Sequence, residues 1–180
     1  MKPRLLSVVI AAAALALAAC GSSSTPSSTA PAKQAATPAP KEASPAGDIP
    51  DNQAYVVFRA PGAPYSVKVP EGWSQTTRGG AVVFTDKLNT IELAWGAAPP
   101  AAPAGAKTST VKRKAGQAQR STYEAQSTPD AVTGKTRTNA VERYVFTQGS
   151  KHAILTLSGP KGADNVDPWK IVTDSVRWTA

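Results

Sequence analysis

The chain of 180 residues carries 20 Lys and Arg against 12 Asp and Glu, a net charge of +8, and holds one cysteine. One cysteine excludes a disulfide within the chain, and the length suits a single domain of ordinary size. Most of the positive charge belongs to residues 53–180, which hold 16 basic and 9 acidic side chains.

The first twenty residues have the order of parts found in a secretory signal peptide. Lys2 and Arg4 precede an apolar run that reaches residue 19, and small residues stand directly before Cys20. The ending Leu-Ala-Ala-Cys resembles a bacterial lipobox, in which the signal is cut before the cysteine and lipid is attached to its sulfur. The alternative, a transmembrane helix, needs about 20 apolar residues, and this run is shorter. We therefore expect residues 1–19 to be a lipoprotein signal peptide and Cys20 to be the lipid attachment site.

A lipidated Cys20 sets the expected location of the protein. Each buried methylene of an acyl chain such as palmitate contributes about 0.8 kcal/mol, and two chains hold a protein at a bilayer stably. We expect the mature protein to be lipid-anchored on the extracytoplasmic face of the cell membrane. Bacterial envelopes carry anionic lipids and polymers, which attract a basic domain over a range that salt shortens. Nucleic acid is not an expected partner outside the cell, and the sequence does not indicate an oligomeric state.

The stretch after the cysteine has the composition of a linker. Residues 21–51 are mostly Ser, Thr, Pro, Ala and Gly, with no aromatic residue and one large aliphatic residue, Ile49. Such a segment buries too little apolar surface to offset the entropy of ordering it. We expect residues 20–52 to form a disordered tether with an average span of about 30 Å. The tether would hold a single domain, residues 53–180, clear of the lipid headgroups.

The domain is predicted to be rich in β-strands. Apolar and polar residues alternate in short runs, and Gly and Pro between these runs indicate tight turns. We expect strands at 55–58, 65–69, 81–84, 90–95, 107–114, 117–125, 136–147 and 153–157. The last two, joined by a turn at 148–151, form the clearest predicted hairpin.

A single helix is predicted near the C-terminus. Asp167 and Pro168 suit an N-cap and a first helical position. Trp169, Val172 and Val176 then recur on one helical face. About seven or eight strands with one helix indicate the α+β class, an antiparallel β-sheet with the C-terminal helix packed on it.

Two segments carry a resemblance to a known fold. In the first, a strand from Tyr65 ends in Pro-Glu-Gly-Trp at Trp73 and is followed by an outgoing strand. The second is the hairpin of 142–157 with the tryptophan-bearing closing helix, 164–178. Together they resemble the PsbP/Mog1 fold of small actinobacterial lipoproteins. The resemblance implies an antiparallel sheet with helices on its faces and a role in binding or assembly without catalysis.

Few side chains suit catalysis or metal binding. His152, the only histidine, stands in the hairpin without a surrounding motif, and a surface position at a strand end is the better interpretation. No spacing of His, Cys and carboxylates predicts a metal site, and no phosphate loop or nucleophile elbow stands out. We therefore predict no cofactor, no metal and no catalytic residue, although a Ser–Lys pair formed by folding stays open.

Two groups of residues are candidates for binding. Lys112, Arg113 and Lys114 form the densest basic cluster and are candidates for contact with an anionic partner. A charged edge strand without a partner is the simpler interpretation. Trp73 and Trp178 are candidates for a ligand pocket or for the core, where aromatic side chains contribute much of the burial energy.

The leading functional hypothesis is a membrane-anchored extracytoplasmic lipoprotein. Its domain would be a non-catalytic binding or adaptor module in the cell envelope, with an envelope protein or an anionic polymer as partner. A carrier of an apolar ligand is one alternative, and it needs an enclosed apolar cavity. A small cell-wall enzyme is another, and it needs a cleft in which titratable side chains converge.

Overall fold

The computed structural model describes residues 45–99 and 101–179. The expected signal peptide, the expected lipid site at Cys20 and most of the expected tether lie outside this range. The described elements are β1 (Tyr55–Phe58), β2 (Tyr65–Pro70), β3 (Ser74–Arg78), β4 (Ala81–Thr85), β5 (Thr90–Gly96), β6 (Lys107–Arg113), β7 (Gly116–Gln126), β8 (Thr138–Gln148), β9 (Lys151–Pro160), α1 (Val166–Asp174) and β10 (Arg177–Trp178). Among these residues, none of the helices has the length and apolar character needed to cross a membrane.

The strands form two antiparallel sheets. The larger has the order β3-β4-β5-β9-β8-β7-β6, and the smaller has the order β1-β2-β10. Two meanders, β3 to β5 and β6 to β9, are joined in the larger sheet because β5 pairs with β9, with Leu93 opposite Leu155. The described fold is therefore mostly antiparallel β-sheet with one short C-terminal helix.

The second sheet is a departure from the single sheet that the sequence predicts. The Pro-Glu-Gly-Trp turn does not join neighbouring strands, since β2 lies in the smaller sheet and β3 in the larger. Gly72 adopts a φ of 82° in this turn, a backbone conformation that side-chain-bearing residues rarely take. The turn therefore carries the chain from one layer of the domain to the other.

The core lies between the larger sheet and a second layer made of the smaller sheet and α1. Leu93, Phe146 and Leu155 reach it from the larger sheet, and Val67 and Val172 reach it from the second layer. Each of these side chains is at most 2% exposed. Burying an aliphatic or aromatic side chain to this degree contributes about 1.5–3 kcal/mol, so this single cluster supplies most of the cohesion between the layers.

The helix begins earlier than its sequence signals predict. Asn165 is the N-cap and Val166 the first helical residue, so the assignment of Asp167 as N-cap and Pro168 as first helical residue is wrong. The main-chain N–H of Trp169 donates to the Asn165 carbonyl at 3.0 Å. Proline fits the third helical position because the first four N–H groups of a helix have no partner within it.

The helix also ends earlier than the pattern of apolar residues predicts. It stops at Asp174, and the buried Val176 lies beyond it. Ser175 Oγ accepts a hydrogen bond from the Lys68 N–H at 2.7 Å and donates to the Val172 carbonyl at 2.6 Å. The chain then runs beside β2, with Trp178 opposite Tyr65. The last tryptophan therefore lies in a strand, and its assignment to the closing helix is wrong.

Residues 45–52, which their composition assigns to the tether, pack on the domain. Ile49 is 4% exposed and belongs to the core cluster. Its N–H donates to Asn165 Oδ1 at 2.8 Å, and the Gly47 carbonyl accepts from the side-chain amides of Asn89 and Asn165 at 2.9 and 3.0 Å. The ordered contacts of the domain therefore begin before residue 53.

A glycine in β9 makes room for these two asparagines. A Cβ atom on Gly159 would lie 2.4 Å from Asn89 Oδ1 and 2.8 Å from Asn165 Nδ2. We expect Gly159→Ala to lower the free energy of unfolding by about 1–3 kcal/mol, because the buried amides must shift. Chemical denaturation measures this change.

Gly96→Ala, at the end of the neighbouring strand β5, is the matched control. The nearest atom to a Cβ at this position is 3.9 Å away. Its unfolding free energy is expected to change by no more than about 0.5 kcal/mol. Equal effects of the two substitutions would contradict the steric role of Gly159.

Candidate functional site

A groove of about 520 Å³ opens beside α1. The helix, β2, β10 and the turn between β6 and β7 contribute to its wall. We call it the basic groove, and it is lined by Lys68, Lys114, Asp167, Lys170, Ile171, Asp174, Ser175 and Arg177.

Strand and helix periodicity direct these side chains outward. In β2, Val67 and Val69 are each 1% exposed, so the residue between them, Lys68, lies on the opposite face. In α1, Trp169 and Val172 are buried, whereas Lys170 is exposed between them. The elements that bury the core therefore also place the cations at the surface.

Two hydrogen-bonded contacts hold the walls of the basic groove together. The N–H of Lys114, in the β6–β7 turn, donates to Asp174 Oδ1 at 3.3 Å. Arg177 Nη1 donates to the carbonyls of Asp174 and Val176 at 3.0 and 2.7 Å. The β6–β7 turn and β10 thus both bind to Asp174, the last residue of α1.

The basic groove has an excess of positive charge. Four of its lining residues are cationic and two are aspartates. Among the described residues, ion pairs closer than 4.0 Å join Arg120 to Glu142 and Lys161 to Glu124, and none involves a groove cation. Unneutralised cations around one space attract an anion, the more so at low ionic strength.

The predicted basic cluster is divided by the structure. Lys112 and Arg113 are neighbours in β6 and so face opposite sides of the sheet, while Lys114 lines the basic groove. Arg113 lies against the helix and the sheet, where Nε donates to Thr173 Oγ1 at 3.0 Å and Nη2 donates to the Tyr144 hydroxyl at 3.1 Å. Lys114 alone among the three belongs to the groove.

A chain of hydrogen bonds continues from Arg113 into the sheet. The Tyr144 hydroxyl donates to Glu142 Oε2 at 2.5 Å, and the other carboxylate oxygen of Glu142 accepts from Arg120. Burial, and then the hydrogen bond to Glu142, raise the pKa of Tyr144 to about 12, while Arg113 acts in the opposite direction. Tyr144 therefore remains a protonated donor near neutral pH, and Arg113 has a structural role.

A second groove, of about 450 Å³, lies near Trp169. It is polar, and two glutamates are among its lining residues. Glu142 is paired with Arg120, and Glu124 Oε1 lies 2.7 Å from the Lys161 ammonium. Both carboxylates are thus already engaged by a cation of the same domain.

The two candidate tryptophans are partly buried against the core. Trp73 and Trp178 both pack on the core cluster, and the Trp178 ring meets Tyr65 edge to face with centroids 6.4 Å apart. His152 is half-buried in β9, with Nδ1 3.0 Å from Thr147 Oγ1. Within the described ranges, no group of three or more His, Cys, Asp or Glu is placed to hold a metal ion.

The sequence could not bring the groove cations together. Alternation in β2 and the helical period indicate that Lys68 and Lys170 face outward, but they do not tell which elements are neighbours. Arg177 joins them because the chain pairs with β2 after the helix. A two-residue strand after a helix has no sequence signature that would predict this pairing.

Comparison with known proteins bears on the fold alone. A protein from Bacteroides thetaiotaomicron VPI-5482, whose crystal structure was determined at 1.50 Å resolution, is similar with a TM-score of 0.50 and 15% sequence identity. The similarity covers 69% of this chain and 48% of that one, so the chain spans about half the length of the protein that it matches. No family model and no curated protein matches the sequence.

The structural role of Arg113 can be tested against its neighbour. We expect Arg113→Gln to lower the unfolding free energy by about 1–3 kcal/mol, because charge-assisted bonds to Thr173 and Tyr144 are lost. Lys112→Gln, which removes the same charge from an exposed position, should change it by no more than about 0.5 kcal/mol. Chemical denaturation measures the unfolding free energy of both variants. An equal decrease for Arg113→Gln and Lys112→Gln would contradict the structural role of Arg113.

Proposed function

We propose that the protein is a membrane-anchored extracytoplasmic lipoprotein whose domain is a non-catalytic binding module in the cell envelope. The basic groove is the observation that carries the binding role. Its four cations surround one space, and none has an ion-pair partner within 4.0 Å among the described residues. An anionic partner would supply the missing counter-charge.

The proposed anchor is lipid on Cys20. It is supported by the signal-peptide pattern that ends at this cysteine and by the linker composition that follows it. A PsbP/Mog1-like fold is part of the same proposal. It is supported by the two sequence segments that carry the resemblance, of which the second ends in the strand β10 and not in a helix.

The non-catalytic character of the module is supported by the structural engagement of two of its acidic groups. Glu142 binds Arg120 and Tyr144, and Asp86 accepts the N–H groups of Leu88 and Asn89. Such bonds hold loops and strands in place. General acid–base chemistry needs titratable groups that are directed at a substrate.

Within residues 45–99 and 101–179, the described apolar void does not support a carrier role. A small void bounded by Phe58, Tyr65 and Trp95, among others, has no room for a water molecule. A carrier needs an enclosed apolar pocket that takes up most of the ligand surface, typically about 300–1,000 Å³. The basic groove, open and charged, suits an anionic surface or chain better.

Replacement of the cysteine tests the anchor. We expect Cys20→Ser to incorporate no labelled palmitate and to lose either processing to the mature size or attachment to the membrane. Metabolic labelling, gel migration and membrane fractionation measure these properties. Ser22→Ala, close by in the sequence, should behave as the unchanged protein. A Cys20→Ser protein of mature size that stays in the membrane would falsify the proposal.

Photo-cross-linking in intact cells tests the basic groove. A photoreactive residue in place of Ile171, in the groove wall, should capture a partner, because this side chain is 43% exposed beside the cations. The same residue in place of Val132, which is 93% exposed between β7 and β8, is the control and should capture little. Equal adducts at both positions would argue against the groove as the binding site.

A further inference from the structure

We propose that the outer face of the second layer binds the surface of an anionic phospholipid bilayer. We call it the docking face, and it consists of Val57, Lys68, Lys114, Lys170, Ile171 and Arg177. This inference rests on the proposed function, since it names the membrane that holds the lipid anchor as the partner of the basic groove. It extends the groove by β1 and by the aliphatic side chains around it.

The smaller sheet contributes an aliphatic residue beside a cation. Val57 in β1 lies opposite Lys68 in β2. The flanking residues of β2, Val67 and Val69, enter the core, so Val57 and Lys68 share the outer face. Val57 is 70% exposed, a high value for a β-branched apolar side chain in a strand.

The helix repeats the same pairing of residue types. Ile171 is 43% exposed next to Lys170, and Val166 in the first turn is 72% exposed. Lys170 follows Val166 by four residues, which places the two side chains on one side of the helix. Aliphatic and cationic side chains therefore alternate across the face rather than gather in one apolar patch.

This alternation matches the chemistry of a membrane interface. Lysine and arginine near an anionic leaflet are attracted to headgroup phosphates. Aliphatic side chains between them can enter the boundary between headgroups and acyl chains. A soluble anionic polymer would use the cations but would leave Val57 and Ile171 in water, so the exposed aliphatics favour a bilayer.

The aspartates do not cancel the charge of the face. Asp174 accepts the Lys114 N–H through Oδ1 and the Arg177 guanidinium through its carbonyl, so it holds both elements in position. Asp167 is the other acidic residue of the groove, which keeps an excess of two positive charges. The basic side chains remain available to phosphates.

The first described residues of the chain pack beside this face. Asp48 Oδ1 accepts the Asp164 N–H at 2.8 Å, and the Ile49 N–H donates to Asn165 Oδ1 at 2.8 Å. Residues 48 and 49 therefore lie next to the first turn of α1. A tether of the predicted span, about 30 Å, would keep the docking face at high effective concentration near the bilayer.

The lipidated protein itself is suited to the test, because its one natural cysteine is the proposed lipid site. Ile171→Cys introduces a thiol for an environment-sensitive fluorophore, and Val132→Cys does the same away from the docking face. Each labelled protein is reconstituted into vesicles of phosphatidylglycerol or of phosphatidylcholine that contain spin-labelled lipid. For the label at 171 in phosphatidylglycerol vesicles, we expect the emission to shift to shorter wavelength and spin-labelled lipid to quench it. High salt should abolish both effects. The label at 132 should show neither effect.

Charge variants separate the docking face from general attraction. Lys68→Gln with Lys114→Gln and Lys170→Gln should abolish the quenching at position 171. The matched set, Arg78→Gln with Lys135→Gln and Lys151→Gln, removes the same charge from exposed positions outside the face and should retain it. Equal loss from both sets would overturn the proposal, and circular dichroism confirms that each variant is folded.

Other outcomes identify other partners or a failure of the anchor. Soluble polyphosphate is added to the labelled protein in phosphatidylcholine vesicles. If it shifts the emission of the label at 171, and spin-labelled lipid does not quench this label in phosphatidylglycerol vesicles, the ligand is an anionic polymer. That result would overturn the bilayer proposal. A thiol-reactive label on Cys20 of the unchanged protein would contradict the lipid anchor. That result alone would leave the docking face standing if phosphatidylglycerol vesicles still shift and quench the label at 171. Absence of both effects would contradict the docking face as well.

Discussion

The position of α1 depends on a buried pair of asparagines. Asn165 is 3% exposed and donates to Asn89 Oδ1, while both side chains donate to the Gly47 carbonyl. These bonds join the start of the helix, the loop before β5 and the first described segment of the chain. Because a buried amide without partners costs about 1–3 kcal/mol, the three parts must meet in one arrangement. That arrangement sets where residues 47–49 meet the domain and which side of the helix faces outward.

The other end of the helix is held by different chemistry. Thr173 accepts from Arg113, which also donates to the Tyr144 hydroxyl in β8 of the larger sheet. Ser175 links the last turn to β2. A helix of nine residues is too short to be stable alone in water, so tertiary contacts of this kind keep it formed. The basic groove exists because those contacts bury one side of the helix and leave the other open.

Much of the strand content could be predicted, because alternation and turn residues are local signals. The β8–β9 hairpin, with Gly149 at a φ of 59° in its turn, is an example. The start of the helix could not be predicted, since the amide of Asn165 is engaged by residues far away in sequence. The packing of Ile49 could not be predicted for the same reason. One aliphatic residue in a Pro- and Ser-rich stretch carries no local signal of the distant residues that it contacts. The groove combines residues from four places in the chain, and local sequence signals do not show which of them are neighbours.

The β6 edge of the larger sheet would have a consequence for a protein that is anchored in a membrane beside other copies of itself. β6 is the last strand at that edge, and it carries Lys107, Lys112 and Arg113. An unpaired strand invites hydrogen bonding by another chain, and lysines along it oppose this by mutual repulsion. Lipid anchoring of the kind proposed would raise the frequency of encounters between neighbouring molecules. Repulsion between their β6 strands would then oppose edge-to-edge pairing of the larger sheets.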